Sequence, residues 1–416
     1  MNRLLGSVAL ACCLLHFAFA VVATSDIPSF AAFISTHERT YAPGTDEYEK
    51  RRGLFEKRAE EAKLHNSREK RRWTAGTNHL WDWTDEELAR LNGRRGGKGD
   101  AVQASSNRLA HVRPSLSLRQ TGRGKQLPAS AHWEHLNSSR TVRSQGGCGS
   151  CWAVAASTIM QAHSEIYVGT DWRTFAVQEF VNCVPNPQSC GGTGGCDGAT
   201  VELALEYAMH NQMAKEHEVQ YEARDMPCPS TGVPANTMAS TASFLQPKVE
   251  NRGHATTNFG MQGWVKLPEN EYEPLLRAVY ERGPVGVSVG ASGWQSYASG
   301  IYDNCKKDIV VNHAVTLIGY GMEASSGDKF WHLLNSWGED WGENGKMRLL
   351  RTDDDQSYCG KDRDPAAGTG CKGGPTEVEV CGMCGVLYDS ALPHFEGSMM
   401  QVPQQSLLQS HGSLTK

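Results

Sequence analysis

The stretch Gln145-Gly146-Gly147-Cys148-Gly149-Ser150-Cys151-Trp152 carries the clearest chemistry in the chain. After it, Trp152, Ala155, Ala156, Ile159, Met160, His163 and Tyr167 recur at helical spacing, so a helix should begin at Cys151. A thiol there is helped toward its thiolate, because aligned peptide dipoles favour an anion at a helix start. The glycines before it let a substrate backbone come close. A nucleophile also needs a base. Asn312-His313-Ala314-Val315 opens an apolar strand that could hold an imidazole across a cleft. A third group must orient the ring, and Asn335-Ser336-Trp337-Gly338 offers an amide with an indole to shield it from water. Taken singly, each residue has a plainer reading: His313 as a structural histidine, Asn335 as a turn residue. Cys148-x-x-Cys151 could be a redox pair, or half of a zinc site completed by Cys381-x-x-Cys384. The zinc reading needs reduced thiols in an oxidising compartment, and the redox reading lacks a surrounding βαβ pattern.

These residues need elements to position them. Residues 26–90 read as helical and polar, with Phe30, Phe33 and Ile34 at helical spacing and a charged helix over 47–66 that carries Phe55 on its apolar side. Residues 93–126 turn basic and rich in Gly and Ser, as a protease-accessible linker would. From Leu127 the texture changes. Helices fit 151–168, 175–182, 201–210 and 271–282, and after Pro284 strands fit 285–289, 313–320, 329–335 and 346–351. A helical half followed by a β half implies an α+β fold of two lobes with a cleft between them. Residues 397–416 are polar and aperiodic, and are expected to be a disordered tail.

The 416 residues suit two or three folding units. The formal charge of −5 is unevenly spread: 20 basic against 14 acidic residues over 24–126, and 20 against 32 over 127–416. The two parts should attract each other at neutral pH and less so once carboxylates protonate; solvated, unpaired surface charge is the alternative. The N-terminus reads as a cleaved signal peptide, residues 1–23: Arg3 precedes an apolar run, and Ala18 and Ala20 supply a small-residue cleavage pattern. That sends the chain into the secretory pathway, toward a lysosome, a vacuole or the exterior. Cys12 and Cys13 leave with it, and eleven cysteines remain of 13. Five disulfides and one free thiol is the simplest arithmetic.

Together these motifs resemble the papain family of cysteine proteases, and the resemblance spans nearly the whole chain. The distance from Leu127 to Trp152, with Pro128 and Trp133 between, matches the family's mature start. The resemblance implies a helical left lobe and a β-barrel-like right lobe over 127–396, preceded by a mainly helical inhibitory propeptide and linker over 24–126. It makes Cys151 the nucleophile, His313 the acid and base, Asn335 the orienting group and Gln145 an oxyanion donor, with Trp337 covering the His–Asn bond. Glu47, Arg51, Phe55 and Asn66 fall at the spacing of the family's interrupted propeptide motif, with Arg58 and Ala62 replacing its usual Asn and Ile. Gly76-x-Asn78-x-Leu80-x-Asp82 matches the second motif of the cathepsin L-like branch. The implied activity is peptide-bond hydrolysis by a precursor activated on propeptide removal, an endopeptidase at acidic pH. Its partners are peptide substrates and its own propeptide. No cofactor, metal, nucleic acid or membrane is implied after signal removal, and a monomer is expected.

Three departures matter. Cys196-Asp197-Gly198-Ala199 stands where the family has Cys-x-Gly-Gly, and Ala199 keeps its substrate-pairing backbone groups if its φ is negative. Asp389 falls at the floor of the main specificity pocket, implying acceptance of Arg or Lys beside Leu or Phe at the second residue before the scissile bond; the alternative is a carboxylate solvated or turned away. Disulfides Cys148–Cys196, Cys183–Cys228 and Cys305–Cys384 follow from the resemblance. Cys190, in an enlarged loop over 185–195, and Cys359, Cys371 and Cys381, in an insertion over 357–382, are left with open connectivity. A catalytically dead relative would lack Cys151 or His313, and neither is substituted. The propeptide could also act in trans as an inhibitor after release.

Overall fold

The computed structural model describes residues 27–93, 126–228 and 259–405. The expected signal peptide, nearly all of the linker and the end of the tail lie outside the described residues.

The pro-region folds around an aromatic seam. Helices α1 (Phe30–Thr36) and α2 (Asp46–Asn66) begin at Ser29 and Thr45, whose hydroxyls accept N–H bonds from Ala32 and Tyr48. Phe55 on α2 packs against Phe33 at 4.9 Å and Trp81 at 5.6 Å between ring centroids. The rest of α2 is polar and is held by specific bonds. Arg39 pairs with Asp82 through two bonds of 2.8 Å, and Arg51 reaches both Glu47 and Glu87. Arg58, standing in for the Asn of the family motif, is buried and donates to the carbonyls of Leu80, Trp81 and Trp83. It thereby satisfies three backbone acceptors that burial would otherwise leave without partners. Asn66 exchanges two bonds with Ala75 and so ties β1 (Trp73–Ala75) to the end of α2. Helix α3 (Asp85–Leu91) follows, closed at its start by a capping box of Thr84 and Glu87.

After the gap, β2 (Ala131–His132) and α4 (Asn137–Arg140) lead into α5 (Cys151–Tyr167). Every residue of α5 is buried, as an axial helix packed on all sides must be. Helices α6 (Val177–Cys183) and α7 (Val201–His210) pack on one side of it. The sheet side comprises β3 (Met261–Lys266), α8 (Tyr272–Glu281), β4 (Val285–Val289), β5 (Tyr297–Tyr302), β6 (His313–Met322), β7 (Lys329–Leu334), β8 (Lys346–Leu350) and β11 (Asp389–Phe395). These strands run in the order β1-β5-β8-β7-β6-β4-β11-β3, with β2 also paired to β6. Strand β1 of the pro-region is therefore an added edge strand, antiparallel to β5. The insertion forms a separate hairpin, β9 (Gly360–Asp362) with β10 (Val378–Val380). The mixture of helical and sheet lobes behind a helical pro-region is the papain-like architecture.

Five disulfides join the described cysteines: Cys148–Cys196, Cys183–Cys228, Cys305–Cys384, Cys190–Cys371 and Cys359–Cys381. Cys151 is the free thiol, and it is buried. The expected tail needs correction. Residues 397–405 lie on the catalytic part: Gln404 exchanges two backbone bonds with His132, and the Met400 N–H donates to the Ile166 carbonyl. Backbone pairing, which polar composition does not report, fixes this stretch.

Candidate active site

The start of α5 and the start of β6 bring Cys151 and His313 to the wall of one pocket, together with Gly198 and Ala199. His313 Nε2 lies 2.7 Å from Asn335 Oδ1, which also accepts the Ser336 N–H at 2.8 Å. An oxygen that accepts a backbone N–H cannot be the amide nitrogen, so His313 must carry its proton on Nε2. Its Nδ1 has no well-formed hydrogen bond among the described residues, although the Leu91 carbonyl lies near enough to the ring to favour a proton there. Trp337 covers the ring with centroids 5.0 Å apart, and Trp294 meets it edge-on at 6.2 Å.

Gln145 is held as firmly. Its Oε1 accepts the Ser336 hydroxyl at 2.6 Å, its N–H donates to the Ser336 carbonyl, and Tyr221 donates to its own carbonyl at 2.8 Å. That leaves Nε2 to donate forward. One acceptor is the Cys148 carbonyl at 2.8 Å, and the other is the carbonyl of Leu91, the last residue of α3 in the pro-region, at 2.9 Å. A peptide oxygen of the pro-region thus sits on the donor assigned to the oxyanion. Gly93, two residues on, reaches Gly198: a Cβ built on it would stand 3.6 Å from Gly198 Cα.

Burial under this segment sets the protonation. Desolvation pushes the Cys151 thiol up to about 11, against backbone N–H groups at the helix start that favour the thiolate. Desolvation likewise brings His313 down to about 4, against its bond to Asn335. The precursor therefore holds a neutral thiol beside a neutral imidazole.

Ala199 is not among the residues with positive φ, so the Gly-to-Ala departure costs its backbone no left-handed strain. Asp389 does not line the pocket. It is buried behind Ser288, whose hydroxyl donates to it at 2.6 Å, and the Lys266 ammonium stands 2.9 Å from its other oxygen. Lys266 also approaches Glu202 at 3.6 Å and Glu269 at 3.5 Å. Burial pushes Glu202 up to about 7, helped by the Asp389 charge. Asp389 is held below the usual carboxylate range despite its burial, chiefly by Lys266. The expected cation acceptor thus already has a cation beside it. Lys266 escaped sequence reasoning because β3 carries no clear alternation, and Glu202 because nothing in the helix over 201–210 marks that carboxylate as buried. Tyr221 and Leu91 stand in segments with no chemical signature. The described residues contain no cluster of His, Cys, Asp and Glu suited to a metal, and no helix among them is long and apolar enough to cross a membrane.

Comparison with known proteins agrees with this architecture. The model of the papain family of cysteine proteases matches residues 127–369, and that of the cathepsin propeptide inhibitor domain matches residues 30–88. Procathepsin L of Rattus norvegicus is 32% identical, over 78% of this chain and 87% of that protein. The cysteine endopeptidase RepA of Oryza sativa subsp. japonica is 29% identical, over 76% of this chain and 77% of its own. Among solved structures, a digestive procathepsin L2 proteinase from Tenebrio molitor larval midgut aligns with a TM-score of 0.62 at 23% identity, covering 87% of this chain and 98% of that one. A recombinant stem bromelain precursor gives 0.61 at 24%, covering 88% and 98%.

The buried thiol yields a direct test. In the precursor, alkylation of Cys151 by iodoacetamide should stay slow through neutral pH and rise only toward about pH 11. Once residues 24–126 are removed, the same reaction should be fast at pH 6–7, because a thiolate needs water or an imidazolium beside it. Equal alkylation profiles before and after removal would show that the pro-region does not govern the thiol.

Proposed function

The chain belongs to the papain family of cysteine proteases, and we propose that it hydrolyses peptide bonds through Cys151, His313, Asn335 and Gln145, at acidic pH, after its propeptide is removed. The observation that carries this reading is the Leu91 carbonyl on Gln145 Nε2, a peptide oxygen bound where a substrate's oxyanion would form. His313 takes the Cys151 proton, leaving thiolate beside imidazolium. Sulfur attacks the carbonyl carbon, an S–C bond forms, and the negative charge moves to oxygen, where Gln145 Nε2 and the Cys151 backbone N–H receive it. The C–N bond then breaks as His313 delivers its proton to the leaving nitrogen. Water, deprotonated by His313, displaces the sulfur and restores the thiol. Asn335 keeps the ring in register throughout, and Trp337 keeps water off the bond between them.

Leu91 and Gly93 occupy this cleft in the direction opposite to a substrate, since Gly93 follows Leu91 yet reaches the Gly198 edge that receives residues before the scissile bond, and the site is closed to general chemistry while its two working groups stay neutral. The propeptide is thus the enzyme's own inhibitor, and released residues 24–126 should act in trans as well. By kinship the mature enzyme is an endopeptidase wherever a chain can pass the cleft, with Gly198 and Ala199 pairing with its backbone. Asp389 acts on the second residue before the scissile bond through Ser288. Because Lys266 already neutralises it, Leu or Phe should be taken more readily than Arg.

Acid release follows from imidazoles more than from carboxylates. Burial lowers His37, which faces Asp340, Arg39, His79 and Asp82, and also His65, which faces Arg68, Arg71 and Asp303 and stacks on Trp73 at 3.8 Å. A folded pKa below the unfolded value gives stability that is full above about 6.5 and is lost as pH falls toward the lowered value. His313, under Leu91, behaves the same way. Asp340, bonded to His79 at 2.8 Å, is lowered despite its burial, so its contribution is lost only below the ordinary carboxylate value of about 4.

Three outcomes are expected. Cys151→Ala should have no peptidase activity, and Gln145→Ala should lose roughly 10²–10³ in kcat; wild-type turnover by Cys151→Ala would refute the assignment. Conversion of the precursor, followed by mass spectrometry, should accelerate between about pH 6.5 and 4.5, with His37→Gln and His65→Gln flattening that rise. Equal rates from pH 4 to 7 would count against the imidazole account. Lys266→Met should increase the preference for Arg over Leu at the second residue before the scissile bond by about tenfold, on the scale of one desolvated charge contact. An unchanged ratio in a peptide library would place Asp389 outside substrate recognition.

A further inference from the structure

The disulfide Cys190–Cys371 joins parts of the chain 181 residues apart. Cys190 belongs to the loop between α6 and Gly198, on the helical side of the cleft. Cys371 belongs to the insertion between β9 and β10, on the sheet side. The bridge is one stitch of a longer seam. The Gly191 N–H donates to the Gly370 carbonyl at 2.9 Å, and the Lys372 N–H donates to the Gln188 carbonyl at 2.8 Å. Cys190 itself is only 2% exposed, so the seam is closed to water at that point.

The seam lies on the rim of the pocket that holds Cys151 and His313, and Gly191 and Gly368 both line it. On the helical side Gly191 rests on the substrate-pairing edge: a Cβ there would stand 2.8 Å from the Ala199 carbonyl oxygen and 2.5 Å from that of Gly368. With φ at +66°, this position needs glycine for its backbone as well as for space. On the sheet side a Cβ on Gly368 would stand 2.5 Å from Asn312 Cα and collide with the Val311 carbonyl. Two backbones thus meet each other and both cleft walls with no room for a third. The insertion is anchored from behind, where the buried Asp362 carboxylate accepts the Val311 N–H at 3.0 Å and Cys359–Cys381 closes its base.

We propose that this strap closes the end of the cleft that receives residues ahead of the scissile bond, so that the enzyme acts on chains with at most two such residues and releases dipeptides from a free N-terminus. The proposal rests on the peptidase reading above, and on Ala199 as the wall beside the second residue before the scissile bond. An extended chain advances about 3.3 Å per residue, so two residues from Cys151 span about 7 Å. A third would have to pass through the backbone contacts of Gly191 with Ala199 and Gly368. With the strap open, the same site is the endopeptidase that kinship suggests.

The test compares three substrates on the mature enzyme: Leu-Arg with a free N-terminus and a fluorogenic amide, the same sequence extended by four residues at its N-terminus, and Leu-Arg extended by four residues beyond the scissile bond. The first and third should be cleaved with kcat/KM at least tenfold above the second. The double variant Cys190→Ser/Cys371→Ser should raise the second at least tenfold and leave the first within about threefold. If that variant does not fold, the wild-type comparison decides alone. Cleavage of the N-terminally extended substrate as fast as the short one would overturn the strap. Cleavage of none of the three, in mature enzyme whose Cys151 alkylates rapidly at pH 6–7, would refute the peptidase reading on which it stands.

Discussion

Cys151 and His313 arrive from opposite halves of the chain, and the rest of the molecule can be understood as what keeps them together in a space without water. The thiol is carried by a helix buried along its whole length, the imidazole by a strand whose first nine residues are buried. Helix and strand pack directly on one another, and the bonds around Ser336 complete the site: Ser336 grips Gln145 by backbone and hydroxyl while its own N–H fixes the Asn335 oxygen. A single residue thus sets both the oxyanion donor and the tautomer of the base. Such fully bonded buried polar groups cost little once paired and much if one partner is lost, about 1–3 kcal/mol for each group left bare.

The same dryness explains how an intact site can be inactive. A pair that works as thiolate and imidazolium is stable only where water or a developing charge compensates it. Leu91 supplies neither, and its carbonyl occupies the donor that would. The pro-region reaches this position by adding β1 to the sheet and by bonds at its flank: Asn78 to the Gln295 carbonyl, Gly76 to the Ser296 carbonyl, and Arg72 to Asp303 and Asp328. Arg72 supplies charge pairs to Asp303 and Asp328, while Asn78, Gly76 and β1 bind through amide and backbone bonds, so the charge asymmetry of the sequence accounts for only part of the attraction. Backbone pairing is what holds the segment.

What could be read in advance followed signal strength. The helix at Cys151, the apolar strand at His313 and the charged helix ending at Asn66 all carry their periodicity openly. Strands β3, β5 and β11 do not. Pro393 inside β11 argues against a strand, and it is tolerated where β4, which pairs only with residues 389–391, has already left one side of β11 an open edge, although β3 continues opposite Pro393 on the other side. Arg58 looked like a departure from a motif, yet it performs the same task with three donors to backbone carbonyls. The two remaining disulfides could not be paired from spacing, because the partner of Cys190 depends on two loops meeting across a cleft. Asp389 marks the limit most clearly. Its position is legible, but its charge belongs to a trio completed by residues in β3 and α7.

That trio bears on how a pocket floor can be acidic without attracting cations. Two carboxylates and one ammonium share this buried corner, and burial disfavours the net charge of −1 that they would carry if all three were ionised. Glu202 gives way, holding its proton up to about pH 7, while Lys266 and Asp389 remain as an ion pair. Removing one member of a buried pair typically costs 3–5 kcal/mol, because the other is left uncompensated. An incoming guanidinium would have to displace Lys266 or bear that cost, whereas an apolar side chain meets only the Ser288 hydroxyl, which is already turned away as a donor to Asp389. An acidic residue beneath a pocket therefore need not attract a cation when its charge is already satisfied from behind.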